Sequence, residues 1–515
     1  MLKRSESDRH DGGDFRPHAL VIGAGIGGLS AAMRLGAKGY RVTVLDKLDI
    51  VGGRASSITK GGHRFDLGPT IITVPKVFEE LWSACGRNFH DDVDLRPMDP
   101  FYEIRFQDGS SFEMTNHPDE LEQQIMALSP GDLDGFRKFM KDAEARYHFG
   151  FEKLGRRPLD KLWDLVVNLP TFGMLRADRS VYAHASRLMK DERLRFATSF
   201  HPLFIGGDPF NVTSMYILVS HLEAAFGVHY AMGGTGAIAL AMADVIRDQG
   251  GEIWLNTIVD KIFVEDGMSK GVLLENGQRL EADIVVSNAD AGFTHTHLLR
   301  DHNRRTWTDR RVKRSRWSMG LFVWYFGTKG TSDMWPDVGH HTVAVGPDYK
   351  GEVRDIFFNG KITEEMSLYL HRPSVTDPSA APEGDDTFYA LACVPHLNAA
   401  GVEWDLEAQS YRARVLKRLE RDFLPGLSDR ITEEVVFTPE TFGSRYLSPN
   451  GSGFSFEPRI LQSGWFRPHN KSEEVDNLFL VGAGTHPGAG VPSVIISAEI
   501  MDQMIPAAEK VKANS

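Results

Sequence analysis

Two short apolar runs near the N-terminus are separated by a glycine-rich segment. The first run is His18 to Ile22 and the second is Arg41 to Leu45. Because apolar residues follow one another in these runs without polar alternation, both are typical of strands buried on both faces of a sheet. The residues between the runs, roughly Gly28 to Lys38, have the apolar spacing of a helix. The pattern therefore predicts a βαβ unit.

The same α/β pattern returns in two later segments of the chain. A glycine loop, Met232 to Gly236, precedes a predicted helix from Ala237 to Gln249, and short predicted strands follow. These strands are Glu252 to Leu255, Val259 to Val264, Gly271 to Glu275 and Asp283 to Ser287. Near the end, a predicted strand from Asn477 to Val481 leads into a glycine loop and a closing helix. We therefore predict a single sheet to which three separated segments contribute.

The segments between these blocks have a different pattern. From about residue 100 to 225 the sequence predicts amphipathic helices rich in aromatic residues, while residues 300–465 are mixed, with strand-like runs at 321–326 and 388–391. This arrangement predicts an α/β fold in which a doubly wound, Rossmann-like domain carries an inserted mixed α+β domain. We place the first domain at 18–100, 225–300 and 470–515, and the second at 101–224 and 301–469. Residues 1–17 are predicted to be a disordered lead.

Composition and charge narrow the class of protein. The 515 residues exceed what one core usually holds, which suggests two or more domains. The 58 basic and 70 acidic residues give a formal charge of -12 without a basic stripe, so we expect no nucleic-acid partner. Two distant cysteines, Cys85 and Cys393, exclude a disulfide framework, and we predict no metal site. No signal peptide or transmembrane helix is predicted, because the lead is polar and no run of about 18 apolar residues occurs.

The first glycine loop, Gly23-Ala24-Gly25-Ile26-Gly27-Gly28, has the spacing of a dinucleotide-binding turn. In such a turn Gly23 permits the tight bend, Gly25 lets the backbone approach a pyrophosphate, and Gly28 lets the helix pack closely on the sheet. The phosphates then lie at the helix N-terminus, where free N–H groups and the dipole favour negative charge. Asp46 ends the next strand, where it is placed to accept hydrogen bonds from ribose hydroxyls.

A second glycine pair distinguishes FAD from NAD. Asp46 is followed by Lys47 and then by Gly52-Gly53-Arg54. This run suits a second pass of backbone along the pyrophosphate, with Arg54 neutralising its charge, which an NAD site does not need. Gly68-Pro69-Thr70 supplies a further tight turn that is placed to line the isoalloxazine ring. We therefore predict FAD as the cofactor.

A third glycine loop follows the last predicted strand. Gly482-Ala483-Gly484-Thr485 begins it, and Gly490-Val491-Pro492 connects it to the closing helix. Because no acidic strand follows, this segment is not a second dinucleotide site. Its backbone N–H groups and helix N-terminus, aimed at the N1–C2 carbonyl of the flavin, would stabilise a reduced anionic ring.

Together these motifs resemble those of the carotenoid desaturase family, and in particular those of the bacterial phytoene desaturases. The likeness is carried by GAGIGG, DKLDIVGGRA, FDLGPT and NLFLVGAGTHPGAGVPS, and by WFRPHN at 465–470. It extends over essentially the whole chain after residue 17. The N-terminal motifs also occur in amine oxidases, whereas the THPGAG loop (485–490) and WFRPHN are far more restricted. One departure is Asp46, where many relatives carry Glu, but both side chains accept ribose hydrogen bonds.

The resemblance implies an FAD-binding domain of the GR2 flavoprotein type with an inserted substrate-binding domain. It implies FAD-dependent desaturation of phytoene, a C40 polyene precursor, to neurosporene and/or lycopene, by hydride transfer from an allylic carbon to flavin N5 and loss of a proton. Quinone or oxygen is the expected electron acceptor, and Val259 is expected to offer its backbone to FAD. Because the cofactor does most of the chemistry, the catalytic residues stay unknown. His486 is a candidate proton acceptor, with a loop-stabilising hydrogen bond as the alternative role.

Apolar residues of the middle segments are candidates for the substrate pocket. The aromatic candidates, each of which also suits an ordinary core, are Trp163, Phe172, Phe204, Tyr216, Phe226, Trp324 and Tyr325. Pro158 to Leu175 has few charges and predicts either an interfacial helix that admits phytoene from a bilayer or a buried helix. With the resemblance, this predicts a cytoplasmic enzyme that associates peripherally with the inner face of the cell membrane.

Two other functions are compatible with the sequence. One is a desaturase of a later, hydroxylated carotenoid. The other is a non-catalytic isoprenoid-binding protein like the GDP-dissociation inhibitors, which share this fold and have lost flavin. Gly52-Gly53-Arg54 and the loop from Gly482 to Gly490 argue against the second. An amine oxidase fits less well, because His486, Pro487 and the apolar lining offer no cage for a cation.

Overall fold

The structure is a computed structural model that describes residues 16–399 and 401–512. The disordered lead predicted for residues 1–17 therefore lies outside the described residues, apart from Arg16 and Pro17.

The strands of the described chain, in sequence order, are β1 (His18–Ile22), β2 (Arg41–Leu45), β3 (Ser57–Lys60), β4 (His63–Asp66), β5 (Leu95–Pro97), β6 (Tyr102–Arg105), β7 (Ser111–Met114), β8 (His229–Ala231), β9 (Glu252–Trp254), β10 (Val259–Glu265), β11 (Met268–Leu274), β12 (Arg279–Glu281), β13 (Ile284–Ser287), β14 (Gly320–Thr328), β15 (His341–Ala344), β16 (Leu368–His371), β17 (Asp386–Val394), β18 (Ile431–Phe437) and β19 (Leu478–Leu480).

The α-helices are α1 (Ile26–Ala37), α2 (Pro75–Ala84), α3 (Phe89–Asp92), α4 (Pro118–Leu128), α5 (Leu133–Arg146), α6 (Leu162–Met174), α7 (Val181–Leu188), α8 (Glu192–Ser199), α9 (Leu218–Phe226), α10 (Thr235–Asp248), α11 (Ala291–Phe293), α12 (Asp309–Arg314), α13 (Tyr349–Arg354), α14 (Trp404–Asp422), α15 (Pro439–Tyr446), α16 (Val491–Met504) and α17 (Ala508–Lys512).

A parallel sheet in the order β19-β13-β1-β2-β9 combines strands from three separated segments, as predicted. Both faces of its central strand are covered. Ala19 and Val21 face a cluster formed by α1, α10 and α16, while Leu20 and Ile22 face the antiparallel sheet β10-β11-β12. This two-sided burial explains the continuous apolar run of β1, and the fold class is the predicted doubly wound α/β arrangement.

A second sheet, in the order β18-β14-β17-β16-β15-β6-β7, forms the frame of the inserted part. Its strand β14 is buried along its whole length. Leu321, Val323 and Tyr325 face the core cluster that contains α5, α7 and α8, while the alternate side chains face α14. The strand-like run predicted at 321–326 is therefore part of a longer strand.

The prediction of helices throughout residues 100–225 is wrong at its beginning. Tyr102–Arg105 and Ser111–Met114 form the hairpin β6-β7, and β6 pairs in parallel with β15. Residues of β6 and β7 alternate between buried and more exposed, which is the period of a half-buried strand. The segment from Pro118 to Phe226 is helical, as predicted. The residue boundaries of the two domains stay a prediction.

Among residues 16–399 and 401–512, none of the helices is both long and apolar enough to cross a bilayer.

One ion pair is completely enclosed in the second sheet. Arg372 donates to both carboxylate oxygens of Asp386, at 3.0 and 2.8 Å, and also to the carbonyl oxygens of Ser332, Trp335 and Val338. Both side chains are only 2% exposed. Because all of these donors and acceptors are satisfied by one another, loss of either charge leaves its partner buried without compensation.

We expect Arg372→Met to lower the free energy of unfolding by about 3–5 kcal/mol, since it strands the buried Asp386 carboxylate. Denaturant midpoints followed by circular dichroism will measure the change. The control is Arg421→Met, which breaks an exposed pair with Glu365 and should cost no more than about 1 kcal/mol. Equal midpoints for the two variants would contradict the prediction.

Candidate functional site

The first glycine loop joins β1 to α1 and leaves the start of the helix open. Gly25 is the N-cap of α1, and no side chain caps the free N–H groups there. A Cβ atom on Gly28 would lie 2.0 Å from the carbonyl oxygen of Gly23, so only glycine lets the helix pack on the turn. Gly23 itself has φ +99°, a conformation that favours glycine. The loop therefore presents an uncapped helix N-terminus of the kind that binds phosphate.

The second glycine pair packs directly on the first loop. The Gly52 amide donates to the Ala24 carbonyl at 2.7 Å, and Gly52 pairs with Gly25 in an isolated parallel bridge. Arg54 follows and is half-buried, with a hydrogen bond from its guanidinium to the Ser448 hydroxyl. Its Nε–H has no partner among the described residues. Burial lowers the pKa of Arg54, while Asp290 raises it. A cation with a free donor in the cavity wall fits a phosphate anion.

Asp46 lies at the end of β2, beside the same loop. Its two carboxylate oxygens accept hydrogen bonds from the amides of Ala24 and Leu48, at 2.6 and 2.8 Å. Burial raises the pKa of Asp46, and the two amide bonds lower it. The carboxylate therefore already anchors the glycine loop, and each oxygen keeps a second lone pair for the predicted ribose hydroxyls.

The C-terminal loop meets the first loop through backbone. A Cβ atom on Gly27 would lie 3.1 Å from the Cα atom of Gly482, so the two loops are in direct contact. Gly490 caps α16 without a side-chain hydrogen bond, which leaves a second helix N-terminus free. The buried guanidinium of Arg467 donates to the Ala483 carbonyl at 2.7 Å and holds this loop in place.

One large cavity, of about 830 Å³, joins all of these loops. The residues predicted to bind the cofactor that line it are Gly23, Gly25, Ile26, Gly27, Asp46, Lys47, Gly52, Gly53, Arg54, Gly68, Pro69, Thr70, Val259, Gly482, Gly490, Val491 and Pro492. The glycine loops, the free hydrogen-bond donors at the helix N-termini and the cavity all fit a bound dinucleotide. The roles of the individual residues stay a prediction.

Four residues of the predicted set lie behind the cavity wall. Ala24 and Gly28 support the first loop through the contacts given above. Gly484 packs on Ala291, and the Thr485 hydroxyl donates to the Gly482 carbonyl at 2.9 Å. These four residues shape the loops rather than face the cavity.

The same cavity continues into an apolar region. Of the aromatic candidates, Phe172, Phe204, Tyr216 and Tyr325 line it. The other three lie elsewhere: Phe226 packs against the core under α1, Trp324 is completely buried beneath α14, and Trp163 is 69% exposed at the surface. A hydrocarbon can therefore lie next to the predicted flavin loops.

Helix α6 covers one side of this cavity, and none of its residues is buried. Leu165, Leu169 and Phe172 line the cavity, whereas its outer face is apolar and exposed to solvent. Ile460 and Leu461 also line the cavity and are largely exposed. Of the two predictions for residues 158–175, the buried helix is therefore wrong, and an apolar mouth at the surface is the arrangement observed.

His486 is buried in the C-terminal loop. Its Nε2–H donates to the Leu154 carbonyl at 3.2 Å, which ties the loop to the turn before α6. Burial lowers the pKa of His486 to about 4, and the neighbouring Arg467 also lowers it. The hydrogen bond is the loop-stabilising contact considered above. A role as proton acceptor stays a prediction.

Sequence reasoning missed a buried polar chain beside the cavity. Thr70 bonds to the hydroxyls of Tyr369 and Tyr389, and Tyr369 bonds to His341. These residues come from four distant segments, and only the register of the second sheet brings them together. Asn288 is a second residue that the sequence did not assign to the site, although its side chain lies among Gly25, Gly27 and Gly482. Its place directly after a predicted strand was a signal that could have found it.

Comparison with known proteins agrees with this geometry. Residues 26–500 match the family described as flavin containing amine oxidoreductase. The chain is 66% identical to the neurosporene-forming phytoene desaturase of Rhodobacter capsulatus, covering 96% of this chain and 94% of that protein. It is 42% identical to the lycopene-forming phytoene desaturase of a Paracoccus species, covering 95% and 97%. Among solved structures, an oxidoreductase from Methanosarcina mazei has the same fold, with a TM-score of 0.63, 19% identity and coverage of 95% and 99%.

We expect Gly25→Ala to weaken flavin binding at least about tenfold, because a methyl group would stand where the backbone must approach a phosphate. The new Cβ atom would also lie 2.8 Å from Asn288 Nδ2. Equilibrium dialysis and the flavin-to-protein absorbance ratio will measure the loss. Gly131→Ala is the control, since its Cβ atom would meet nothing within 4 Å. Full flavin loading of Gly25→Ala would contradict the assignment of this loop.

Proposed function

This chain belongs to the flavin-containing amine oxidoreductase family, and from that membership we propose that it is an FAD-dependent phytoene desaturase with neurosporene as its main product. The observation that carries the proposal is one continuous cavity that joins the glycine loops to an apolar, aromatic-lined region. Such a cavity brings a redox cofactor and a hydrocarbon together and excludes water between them.

The cofactor half of the cavity suits FAD. When bound, FAD supplies the hydride acceptor. The N-terminus of α1 and the guanidinium of Arg54 would hold its pyrophosphate, and Asp46 would face its ribose. Gly68-Pro69-Thr70 and the N-terminus of α16 would flank its ring, where the positive end of the helix favours negative charge. These residues bind and orient the cofactor, and none of them forms a covalent bond in the proposed reaction.

The substrate half of the cavity suits a hydrocarbon. Its walls near the Gly68-Pro69-Thr70 turn include Leu321, Val323, Phe204 and Leu391, none of which offers a hydrogen bond. A cation that develops on an allylic carbon is protected from water in such surroundings, so it loses a proton instead of gaining a hydroxyl group. The dry wall therefore favours a new double bond over hydration.

The relatives support neurosporene as the product. The protein at 66% identity is a neurosporene-forming enzyme, whereas the one at 42% is lycopene-forming. Neurosporene is one desaturation short of lycopene, so this chain would stop before the last step. For the electron acceptor we propose a quinone or oxygen, and the apolar surface at the cavity mouth favours a lipid-soluble quinone.

We further propose that α6 lies in the membrane interface and that phytoene enters there. Its exposed apolar residues are Leu162, Trp163, Val166, Val167, Leu169 and Met174. Three exposed basic residues lie before this face or at its start: Lys153, Arg157 and Lys161. Such residues suit a surface that meets anionic headgroups. The exposed Ile460 and Leu461 extend the apolar surface across the mouth. A substrate with almost no solubility in water would then never have to cross an aqueous layer.

Expression in cells that accumulate phytoene should convert phytoene to neurosporene, as measured by pigment chromatography. The purified protein should be yellow, with a flavin absorbance band. The Gly25→Ala variant supplies the matched control for cofactor-dependent conversion.

Each other result of that experiment contradicts a different part of the proposal. Unchanged phytoene with folded, flavin-loaded protein would refute the substrate, and lycopene as the main pigment would refute the stopping point. A flavin-free preparation from flavin-replete cells would instead favour an isoprenoid-binding protein.

We expect Trp163→Glu to reduce binding to phosphatidylglycerol-containing vesicles at least about tenfold, because burial of an indole in the interface stabilises binding by about 2 kcal/mol. Co-sedimentation will measure the partition. Leu406→Glu is the matched control, since Leu406 is 80% exposed on α14, away from α6 and from the cavity. Equal losses in both variants, or none in either, would contradict an interface at α6.

A further inference from the structure

A buried hydrogen-bonded chain leads away from the cavity behind the Gly68-Pro69-Thr70 turn. Thr70 Oγ1 lies 2.9 Å from the hydroxyl of Tyr369 and 2.8 Å from that of Tyr389. The Tyr369 hydroxyl lies 2.6 Å from His341 Nδ1. Thr70 and both tyrosines line the cavity, whereas His341 lies behind them. A phenol on the cavity wall is thus backed by an imidazole.

The hydrogen-bond directions in this chain follow from its ends. Tyr389 can donate to Thr70 Oγ1 at 2.8 Å, and Thr70 can then donate to Tyr369 at 2.9 Å. The Tyr369 O–H then donates to His341 Nδ1, which places the ring proton on Nε2. His341 Nε2 has no partner among the described residues. Tyr369 therefore keeps one lone pair free, beside the cavity.

Three buried histidines stand together at this end of the chain. His341 on β15 lies directly opposite His371 on β16, and His371 Nε2 lies 3.0 Å from His340 Nε2. His340 Nδ1 lies 2.7 Å from the Thr376 hydroxyl. Burial lowers the pKa of all three rings, so they are neutral.

The charged groups that face the three rings are few. Asp377 raises the pKa of His340, and Arg64 lowers that of His371. His340 itself lowers the pKa of His341. Asp377 and Arg64 form an ion pair with each other, so the pocket around the rings has no net charge of its own.

The three rings could in principle hold a metal ion, since their nitrogen atoms lie within 4.8 Å of one another. The hydrogen bonds argue against it, because both nitrogens of His340 and Nδ1 of His341 are already engaged.

We propose that Tyr369 accepts the proton released in each desaturation and that His341 relays it. The inference rests on the proposed function and extends it. When bound, FAD would take a hydride from an allylic carbon, and the neighbouring C–H bond would then break so that its electron pair forms the new C=C bond. The proton goes to the Tyr369 oxygen, and the phenolic proton of Tyr369 passes to His341 Nδ1. Carbon is oxidised, flavin is reduced, and the proton remains in the protein.

A weak base is sufficient for this step, because a C–H bond next to a carbocation is a strong acid. Burial of His341 keeps the ring neutral, so the lone pair of its Nδ1 is available before each turnover. His486 also lines the cavity, but its Nε2–H is tied to the Leu154 carbonyl, and no described residue forms a hydrogen bond with its Nδ1 through which a proton could pass on. Tyr369, in contrast, passes its charge on to a second group.

The test compares Tyr369→Phe, His341→Asn and the double variant in the FAD-loaded enzyme. An asparagine amide can accept the hydrogen bond from Tyr369 but not the proton. In anaerobic single turnovers, we expect each single variant to slow formation of the desaturated product about a hundredfold or more, with phytoene binding and flavin content unchanged. Because the two residues act as one unit, the double variant should be no slower than either single variant.

Tyr389→Phe is the matched control, since Tyr389 shares Thr70 but forms no hydrogen bond to a histidine. The rate of this variant should fall far less than that of Tyr369→Phe. Equal losses in the two tyrosine variants, or additive losses in the double variant, would overturn the relay. A stoichiometric transition metal that is present in the wild type and absent from His341→Asn would overturn it in favour of a metal site. Failure of the wild type to reduce its flavin with phytoene would count against the proposed function itself.

Discussion

The rest of the structure depends on one point of close contact, at which the backbone of several glycines packs around the side chain of Asn288. Glycines from two distant segments surround that side chain: Cβ atoms on Gly25, Gly27 and Gly482 would each lie within 2.8 Å of it. Asn288 directly follows β13, so the first, middle and last segments of the α/β sheet all meet at this point. Helix α1 begins beside it and keeps its N-terminus free, because the N-cap Gly25 has no room for a larger side chain. An anion-binding cradle is the direct result of this crowding.

The remainder of the cavity is mainly apolar, unlike the anion-binding glycine loops, and this difference matters for the chemistry. The buried Arg467 and the half-buried Arg54 lie on the loops, whereas most of the walls beyond Gly68-Pro69-Thr70 are apolar and aromatic, with the buried carboxyl groups of Glu223 and Glu352 as exceptions. A charged cofactor is held by one half and a hydrocarbon by the other. Polar groups enter the apolar half mainly where they are tied to protein, as in the chain from Thr70 through Tyr369. The protein thus binds the cofactor and the hydrocarbon, excludes water and, in the proposal made above, accepts a proton.

Features that depend on local sequence were predictable, and those that depend on register were not. The bounds of β1 and β2 agree with the predicted runs, because two-sided burial demands continuous apolar residues. The glycine loops were predictable because only glycine permits such contacts. Helix α1 begins at Ile26 instead of Gly28, since the tertiary fold sets the position of the cap. The hairpin β6-β7 was missed because its strands are four residues each, too short for their period to stand out. The pairing of Tyr369 with His341 leaves no trace in the linear sequence at all.

The position of β19 and α16 has a consequence for how the protein is made. Both elements come long after the first glycine loop in a chain that emerges from the ribosome N-terminus first. The first glycine loop is therefore synthesised well before the loop that completes its cradle. A chain that stops between the two lacks one wall of the cradle. Loading of the cofactor then requires that synthesis has passed β19 and α16, and a chain that stops earlier remains an incompletely closed sheet, exposed to cellular proteases.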